Sequence, residues 1–408
     1  MKCRFCGNEI EDVVLDLVNA PPSNAYLHEE QLNEPETFYP LKIMVCKHCW
    51  LVQVDEYASS ADIFDDDYLY FSSYSTSWVE HARKYVDMIT DRLSLSKDSH
   101  VMEIASNDGY LLQFFVKKNI PCVGIEPSTS TIPAAKEKGV ESIPEFFCAE
   151  LAYKIITERE KQDLVIGNNV LAHVPDINDF VEGLKIVLSD SGTITMEFPH
   201  LLNLLQLNQF DTIYHEHYSY LSLGSVQRIF AAHDLKIYDV EELCTHGGSL
   251  RIFACHNNAE FKIRKSVSDI LEIERQFGLE TLHVYSNFQE CVEKIRLNFL
   301  AFLLQAQKEA KSVAGYGAAA KGNTLLNYCG VKGEGMIQVV ADASPHKQGR
   351  FLPGSHIPVV SPEKIKELKP DYLIIFPWNI KEEIMQQNAF IREWGGKFVT
   401  VIPDLEIL

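Results

Sequence analysis

The sequence predicts an α/β protein, with two strand–helix units set behind a small cysteine-bearing N-terminal segment. Three observations predict it. Strand and helix patterns alternate across residues 78–257 and resume at residue 309. Such alternation implies parallel sheets covered on both faces. Two matched cysteine pairs, Cys3-x-x-Cys6 and Cys46-x-x-Cys49, frame the first segment. In each later unit a strand enters a helix through a turn of small and polar residues, A-S-N-D-G in one and G-Y-G-A-A-A-K-G in the other.

The N-terminal segment, residues 1–70, is the first element to justify. Two residues between cysteines let both thiolates grip one tetrahedral ion, and two such pairs complete a closed four-thiolate zinc site. A redox C-x-x-C is the competing reading, but two matched pairs framing one segment favour zinc. A closed site leaves no coordination position for a substrate. The zinc is therefore expected to fold the module and to do no chemistry. Pro21, Pro22, Pro35 and Pro40 lie between the pairs, and few regular elements are expected there. An acidic, tyrosine-rich patch from Asp62 to Tyr74 leads through F-S-S-Y-S-T-S into the next domain.

That domain, residues 71–257, opens on a helical pattern, WVEHARKYVDMITDRL. Strand patterns follow at 100–105, 121–126, 163–169 and 193–198, with GYLLQFFVKKN and DFVEGLKIVLS as helices between them. Two further strands, 235–243 and 249–256, are joined through T-H-G-G and read as an antiparallel hairpin at the sheet edge. Residues 258–308 read as connecting helices. The second unit, within 258–408, has strands in SVAGYG, IQVVADAS, DYLIIFP and KFVTVIP, and reads as a smaller Rossmann-like domain.

Composition narrows the function. A net charge of −20 argues against a nucleic-acid partner, whose phosphates need a basic face. No apolar run reaches the length of a membrane span, and no signal-peptide core is visible. The six cysteines outside the two pairs are scattered in mostly apolar surroundings, as in a reduced, cytoplasmic protein. A monomer is the working expectation.

The turn in VMEIASNDGYLL places Glu103 near a strand end and Gly109 at a helix start. Glu126 ends the next strand, 23 residues after Glu103. A carboxylate at that separation is suited to both hydroxyls of a ribose. The turn lacks the three glycines that admit a pyrophosphate. A ribose-bearing cofactor without a phosphate bridge fits better, and S-adenosylmethionine is the natural choice. Ala105, Asn107, Asp108, Glu126 and Pro127 would line its site, with Phe146 or Phe147 over the adenine. Asn168 and Asn169 end the strand DLVIGNN and face the same crevice, and His173 follows in a turn.

The run QFDTIYHEHYSYLS, residues 209–222, is polar and aromatic without periodicity. Its core sets His215, Glu216 and His217 side by side between tyrosines, a dense group of proton carriers on a loop after a strand. A zinc site is less apt, because His-x-His alone lacks partners at ligand spacing.

Taken together, the paired C-x-x-C, E-x-x-S-N-D-G, N-N-V-L-A-H-V-P-D, Y-H-E-H-Y-S-Y and the glycine-rich C-terminal domain resemble the nucleotide-sugar C-methyltransferases, which make 3-C-methyl deoxysugars. The resemblance runs essentially the whole length. It departs at Ala105, where the family usually has glycine. It implies a class I, Rossmann-like methyltransferase domain, S-adenosylmethionine as donor, and a nucleoside-diphosphate 4-keto-6-deoxysugar, dTDP-linked, as acceptor. A base would remove the C-3 proton beside the ketone, and the enolate carbon would take the methyl.

By that resemblance His217 is the base, Glu216 orients the reacting groups, and Tyr214 donates to sugar oxygens. His173 and Tyr74 are further candidates for holding the enolate. The C-terminal domain would hold the nucleotide-sugar. Gly317 and Lys321 in its turn suit a phosphate. Asp342 ends the next strand 25 residues after Gly317, and Lys347 and Arg350 are candidate diphosphate contacts, with Arg251 a further one. An O- or N-methyltransferase on a related sugar is the main alternative. A nicotinamide-dependent oxidoreductase is a lesser one, since the domain offers about one mononucleotide-binding half.

Overall fold

A computed structural model describes residues 1–57, 71–333 and 335–408. The acidic patch of the sequence therefore lies, from Asp62 to Tyr70, outside the described residues. Three sheets organise the chain. The first joins β1 (Asp12–Ala20), β2 (Tyr39–Val45), β3 (Val52–Val54) and β9 (Ser219–Tyr220) in the order β1-β2-β3-β9. This corrects the expectation of few regular elements between the cysteine pairs. Leu15, Ile43 and Val54 of this sheet are fully buried, and that burial offsets the cost of ordering strands in so short a module. The fourth strand comes from the Y-H-E-H-Y-S-Y run, where Tyr220 pairs with Val52.

The second sheet has the order β10-β11-β8-β7-β4-β5-β6. Its strands are β4 (Val101–Ile104), β5 (Cys122–Ile125), β6 (Ser142–Ile143), β7 (Gln162–Asn168), β8 (Leu188–Pro199), β10 (Leu235–Leu243) and β11 (Ser249–His256). All neighbours are parallel except β11, which runs antiparallel to both β8 and β10. The chain starts at β4, builds outward through β5 and β6, then returns to β7 on the other side. The C-terminal ends of β4 and β7 thus flank a topological switch point, where an open α/β sheet presents its crevice.

The third sheet has the order β14-β13-β12-β15-β16-β17, formed by β12 (Val313–Tyr316), β13 (Val340–Ala341), β14 (Val359–Val360), β15 (Tyr372–Ile375), β16 (Lys397–Thr400) and β17 (Glu406–Ile407). The same switch recurs between β12 and β15. The connecting segment forms the helices Lys265–Phe277 and Phe288–Lys308.

The three sheets do not stand apart. One apolar cluster runs from Leu15 and Ile43 through Phe210 and Ile213 to Phe299 and Leu326. Another joins Cys3, Cys46 and Cys49 to Phe198 of the middle sheet and to Phe180 and Phe230 on two of its helices. Among the described residues no helix is long and apolar enough to cross a membrane.

Candidate active site

The turn after β4 is held open by backbone conformation. Ala105 (φ +58°), Asn107 (φ +49°) and Gly109 (φ +73°) are all left-handed, a region that costs an L-residue roughly 1–2 kcal/mol. Glycine at position 105 would avoid that cost. Glu126, at the end of β5, accepts the N–H of Asn107 through Oε2 and of Ser128 through Oε1, both at 2.8 Å. Burial pushes its carboxyl up, and these two N–H groups act against that. Glu103 is fully buried, and burial raises it well above the usual carboxylate range, with the Tyr110 hydroxyl opposing. Pro127 lies half-buried beside Glu126, and Phe146 is exposed. Phe147 instead packs edge-on against Phe180.

Ser106 Oγ and Asp108 Oδ1 in this turn are buried without a hydrogen-bond partner. Unpartnered polar atoms in a crevice at a switch point, next to two buried carboxylates, fit the adenosyl and amino-acid ends of S-adenosylmethionine. A strap crosses the turn from above: Ser72 N–H donates to Asn107 Oδ1 at 2.9 Å, and Ser73 N–H to Asp108 Oδ2 at 3.3 Å. Tyr74 ends this strap. Its hydroxyl sits 3.0 Å from His346 Nε2 on the C-terminal domain, and more than half of its surface is exposed. It therefore lies among neighbours other than the His217 cluster.

Across the crevice, Asn168 Nδ2 donates to the Tyr110 hydroxyl, and Asn169 Nδ2 contacts His246 Nε2 at 2.8 Å. His173 meets His217 edge-on, with ring centroids 4.5 Å apart. Tyr214 lies over His217 at 4.1 Å. His217 Nδ1 is 3.0 Å from the Thr212 carbonyl. A carbonyl only accepts, so the ring proton is on Nδ1 and Nε2 is left bare. Burial pushes His217 well below its ordinary value, helped by the neighbouring His173, His246 and Lys321, so the ring is neutral. His173, buried, falls to about 4.

Glu216 is held differently. Asn24, from the N-terminal module, donates Nδ2 to both of its oxygens at 2.8 and 3.0 Å. Burial pushes Glu216 up to about 7, with Asn24 and Lys347 drawing it down. His215, adjacent in sequence, turns away. Its Nε2 meets the Pro40 carbonyl at 3.1 Å, and its ring packs against Tyr39. That histidine fastens the loop to β2.

The C-terminal residues divide. Lys321 Nζ donates to Asn379 at 2.7 Å and lies 4.4 Å above the Trp378 ring, and burial lowers it to about 8. Lys347 Nζ donates to the Ala318 carbonyl at 2.7 Å, beside Tyr26. Arg350 is half-buried on the same segment. Asp342 accepts the N–H groups of Ala318 (2.7 Å) and Ser344 (2.8 Å). Gly317 (φ +88°) packs where a Cβ would stand 2.3 Å from the Pro377 ring. Arg251 is a correction to the sequence reading. It is 4% exposed and bound to Glu197 and Glu241 over the Tyr85 ring, so it is no diphosphate contact.

The sulfurs of Cys3, Cys6, Cys46 and Cys49 all lie within 4.8 Å of one another, as a tetrahedral zinc site with Zn–S near 2.3 Å requires. Arg4, between the first pair, sends Nη1 to the Pro175 carbonyl at 2.6 Å and Nη2 to the Val54 carbonyl at 2.7 Å. The metal module thereby grips the segment after His173. Sequence reasoning missed Asn24, His246 and Trp378. Only His246 left a signal, a histidine before two glycines in a turn that needs none.

Family models match all three regions: a zinc-binding domain over residues 3–64, a methyltransferase domain over 78–240, and a C-methyltransferase C-terminal domain over 244–403. The C-methyltransferase NovU of Streptomyces niveus is 35% identical over 407 residues, 100% of this chain and 96% of its own. A ubiquinone biosynthesis O-methyltransferase of Bradyrhizobium sp. (strain ORS 278) is 31% identical over 99 residues, 24% of this chain and 38% of its own. A solved S-adenosylmethionine-dependent methyltransferase from Clostridium acetobutylicum ATCC 824 aligns with 44% of this chain and 92% of its own at 11% identity and a TM-score of 0.37. The likeness that decides is the one that runs end to end through metal module, donor crevice and C-terminal domain, and by it the chain belongs to the C-methyltransferase family.

Proposed function

We propose that the protein methylates C-3 of a nucleoside-diphosphate 4-keto-6-deoxysugar, dTDP-linked, through an enolate. S-adenosylmethionine supplies an electrophilic methyl group when bound. The observation that carries the reading is the 3.0 Å contact of His217 Nδ1 with the Thr212 carbonyl, which assigns the ring proton to Nδ1. With Nδ1–H tied to Thr212, the bare Nε2 is fixed as a proton acceptor amid buried aromatic rings. Burial weakens its basicity in the resting protein. The negative charge that develops on the acceptor would offset this as the proton moves. Carbon methylation needs such a base, because a carbon is a poor nucleophile until it loses a proton.

Glu216 would orient the acceptor, gripped by Asn24 on one side and in the field of Lys347 on the other. Tyr214 would donate to sugar oxygens. Lys321, Lys347 and Arg350 gather on the C-terminal side and suit the diphosphate. Glu103, Asn107, Glu126 and Asn168 would hold the donor. The reaction suits a cytoplasmic monomer of three parts, 1–70, 71–257 and 258–408.

The test uses a 4-keto-6-deoxysugar nucleotide with S-adenosylhomocysteine in deuterated water. Wild-type protein should exchange the C-3 hydrogen, and His217→Ala should lose exchange by about 10³-fold while still binding S-adenosylhomocysteine. Exchange retained by the variant removes His217 as the base. A methyl found on oxygen or nitrogen removes the reading altogether.

A further inference from the structure

The connection between β10 and β11 was expected to be a plain hairpin turn, and it is more than that. Residues 244–248 fold over the end of β7. His246 there is left-handed, at φ +52°, and so is its partner Asn169, at φ +55°. Gly247 (φ +88°) and Gly248 (φ +113°) already give the turn its reversal, so the strained histidine is not required for chain direction. What the strain secures is the position of its ring. The loop is also fixed from four sides. Thr245 Oγ1 donates to Glu197 at 2.9 Å, and Gln209 Nε2 donates to the Gly247 carbonyl at 2.8 Å. The Trp78 ring stands edge-on to His246 at 5.1 Å. At Gly247 a Cβ would fall 2.4 Å from the Trp378 ring, so that residue must be glycine.

The two histidines differ in which nitrogen they present. Asn169 Nδ2 donates to His246 Nε2, so the ring proton of His246 is on Nδ1. His217 spends its Nδ1–H on Thr212 and presents a bare Nε2. Burial, its largest cause, keeps His246 neutral, down to about 4. Lys321 lies within the electrostatic reach of both rings. The site therefore pairs a neutral acceptor with a neutral donor. Asn169 Oδ1, on the Nε2 side of the ring, is buried with no hydrogen-bond partner.

We propose that His246 is a catalytic residue, donating Nδ1–H to the ketone oxygen as it becomes the enolate oxygen, with Asn169 holding the ring in that tautomer from the Nε2 side. The proposal rests on the enolate reading above. The C-3 hydrogen leaves as a proton to His217 Nε2, and its bonding pair becomes the C-3–C-4 double bond. The carbonyl π pair moves onto oxygen, where His246 holds it by a hydrogen bond and keeps its own proton. When C-3 attacks the methyl group, the carbonyl re-forms, the sulfur–methyl pair returns to sulfur, and His217 releases its proton to solvent. A neutral imidazole suits this role, because it stabilises the oxygen without surrendering a proton to it.

The experiment compares wild type, His246→Ala and His246→Gln in the zinc-loaded protein. The rates read are C-3 deuterium exchange with S-adenosylhomocysteine bound, and methyl transfer. Loss of one such donor predicts a fall of about 10²–10³-fold. It should be equal in the two rates, since both pass through the enolate, and S-adenosylhomocysteine and dTDP affinities should stay within about twofold. Glutamine restores an N–H donor and should recover about tenfold. Wild-type exchange in His246→Ala overturns the proposal, as does a loss that merely follows weakened ligand binding. Nitrogen-15 NMR of labelled protein gives a readout independent of activity: the Nδ1–H tautomer is expected at His246, and the Nε2–H tautomer overturns the assignment. Wild-type protein that neither exchanges nor methylates any 4-keto sugar sinks the acceptor reading itself, an outcome distinct from failure of His246→Ala alone.

Discussion

Two turns in this protein are built alike and serve different ends. After β4 and after β12, a strand enters a turn at the sheet's switch point. In both, the acid ending the next strand reaches back to hold it. Glu126 takes the N–H groups of Asn107 and Ser128, and Asp342 takes those of Ala318 and Ser344. The difference lies above the turn. At the first are buried polar atoms without hydrogen-bond partners, Asp108 Oδ1 in the turn and Ser106 Oγ against Gly124 of β5. Over the second sits the end of β15. Cβ atoms added at Gly315 and Gly322 would meet the Phe376 ring at 2.6 and 2.9 Å, and one at Gly317 would meet Pro377. The first turn is crossed by a backbone strap that leaves Asp108 Oδ1 unpartnered, and the second is packed tight by the side chains of Phe376 and Pro377. Glycines in a strand–helix turn therefore signal a close approach, and the partner is sometimes a side chain in place of a phosphate.

The largest effect that would break this contrast is expected at Gly317. Gly317→Val should cost about 4 kcal/mol or prevent folding, through the Pro377 overlap and the left-handed backbone. A stable Gly317→Val variant that had lost only dTDP binding, in paired melting and titration experiments, would assign this glycine to the nucleotide instead of to packing. Next is the acid of the first turn. Glu126→Gln should weaken S-adenosylhomocysteine binding about 100-fold, roughly 2.7 kcal/mol, by calorimetry. Because burial raises Glu126, the folded protein still holds this proton at pH values where the unfolded chain, with an ordinary carboxyl at 4.5, has lost it. That contribution to stability is present below 4.5 and is lost as pH rises through the folded value. The melting temperature of the apoprotein should accordingly fall less with rising pH in Glu126→Gln than in wild type.

The matching change in the filled turn should be smaller and of another kind. Asp342→Asn should cost about 1–2 kcal/mol in denaturant unfolding and leave S-adenosylhomocysteine affinity within about twofold. Equal losses of affinity in the two variants would erase the contrast. The smallest effect is a gain. Ala105→Gly should stabilise the apoprotein by up to about 1 kcal/mol, since residue 105 is left-handed. A loss of stability would mean that the alanine methyl packs usefully.

Most strands of the two larger sheets could be read from the sequence, because parallel strands buried on both faces are near-continuous apolar runs, as in DLVIGNN. The metal site was legible for a different reason, since ligand spacing is local. The sheet between the cysteine pairs was hidden by its prolines and by a fourth strand supplied from residues 219–220. The same limit applies to the site. Tyr214, Glu216 and His217 stand out as one dense run. Asn24, however, reaches Glu216 across 192 residues, and Trp378 reaches Asp211 across 167. Nothing local marks such residues. Arg251 misled because a lone cation on a strand reads the same whether it meets a phosphate or a buried glutamate.

The pairing of β3 with β9 bears on how the enzyme comes into being. A strand made near residue 52 must wait for residue 220 before its edge is covered, and Asn323 must later reach the Ser23 carbonyl. Contacts of such separation form late and slowly. The growing chain on the ribosome therefore carries a metal module with an open edge for much of its synthesis. The loop that carries His217 is anchored in turn by Thr324, whose hydroxyl donates to the Ile213 carbonyl, so its last support is made only after three-quarters of the chain.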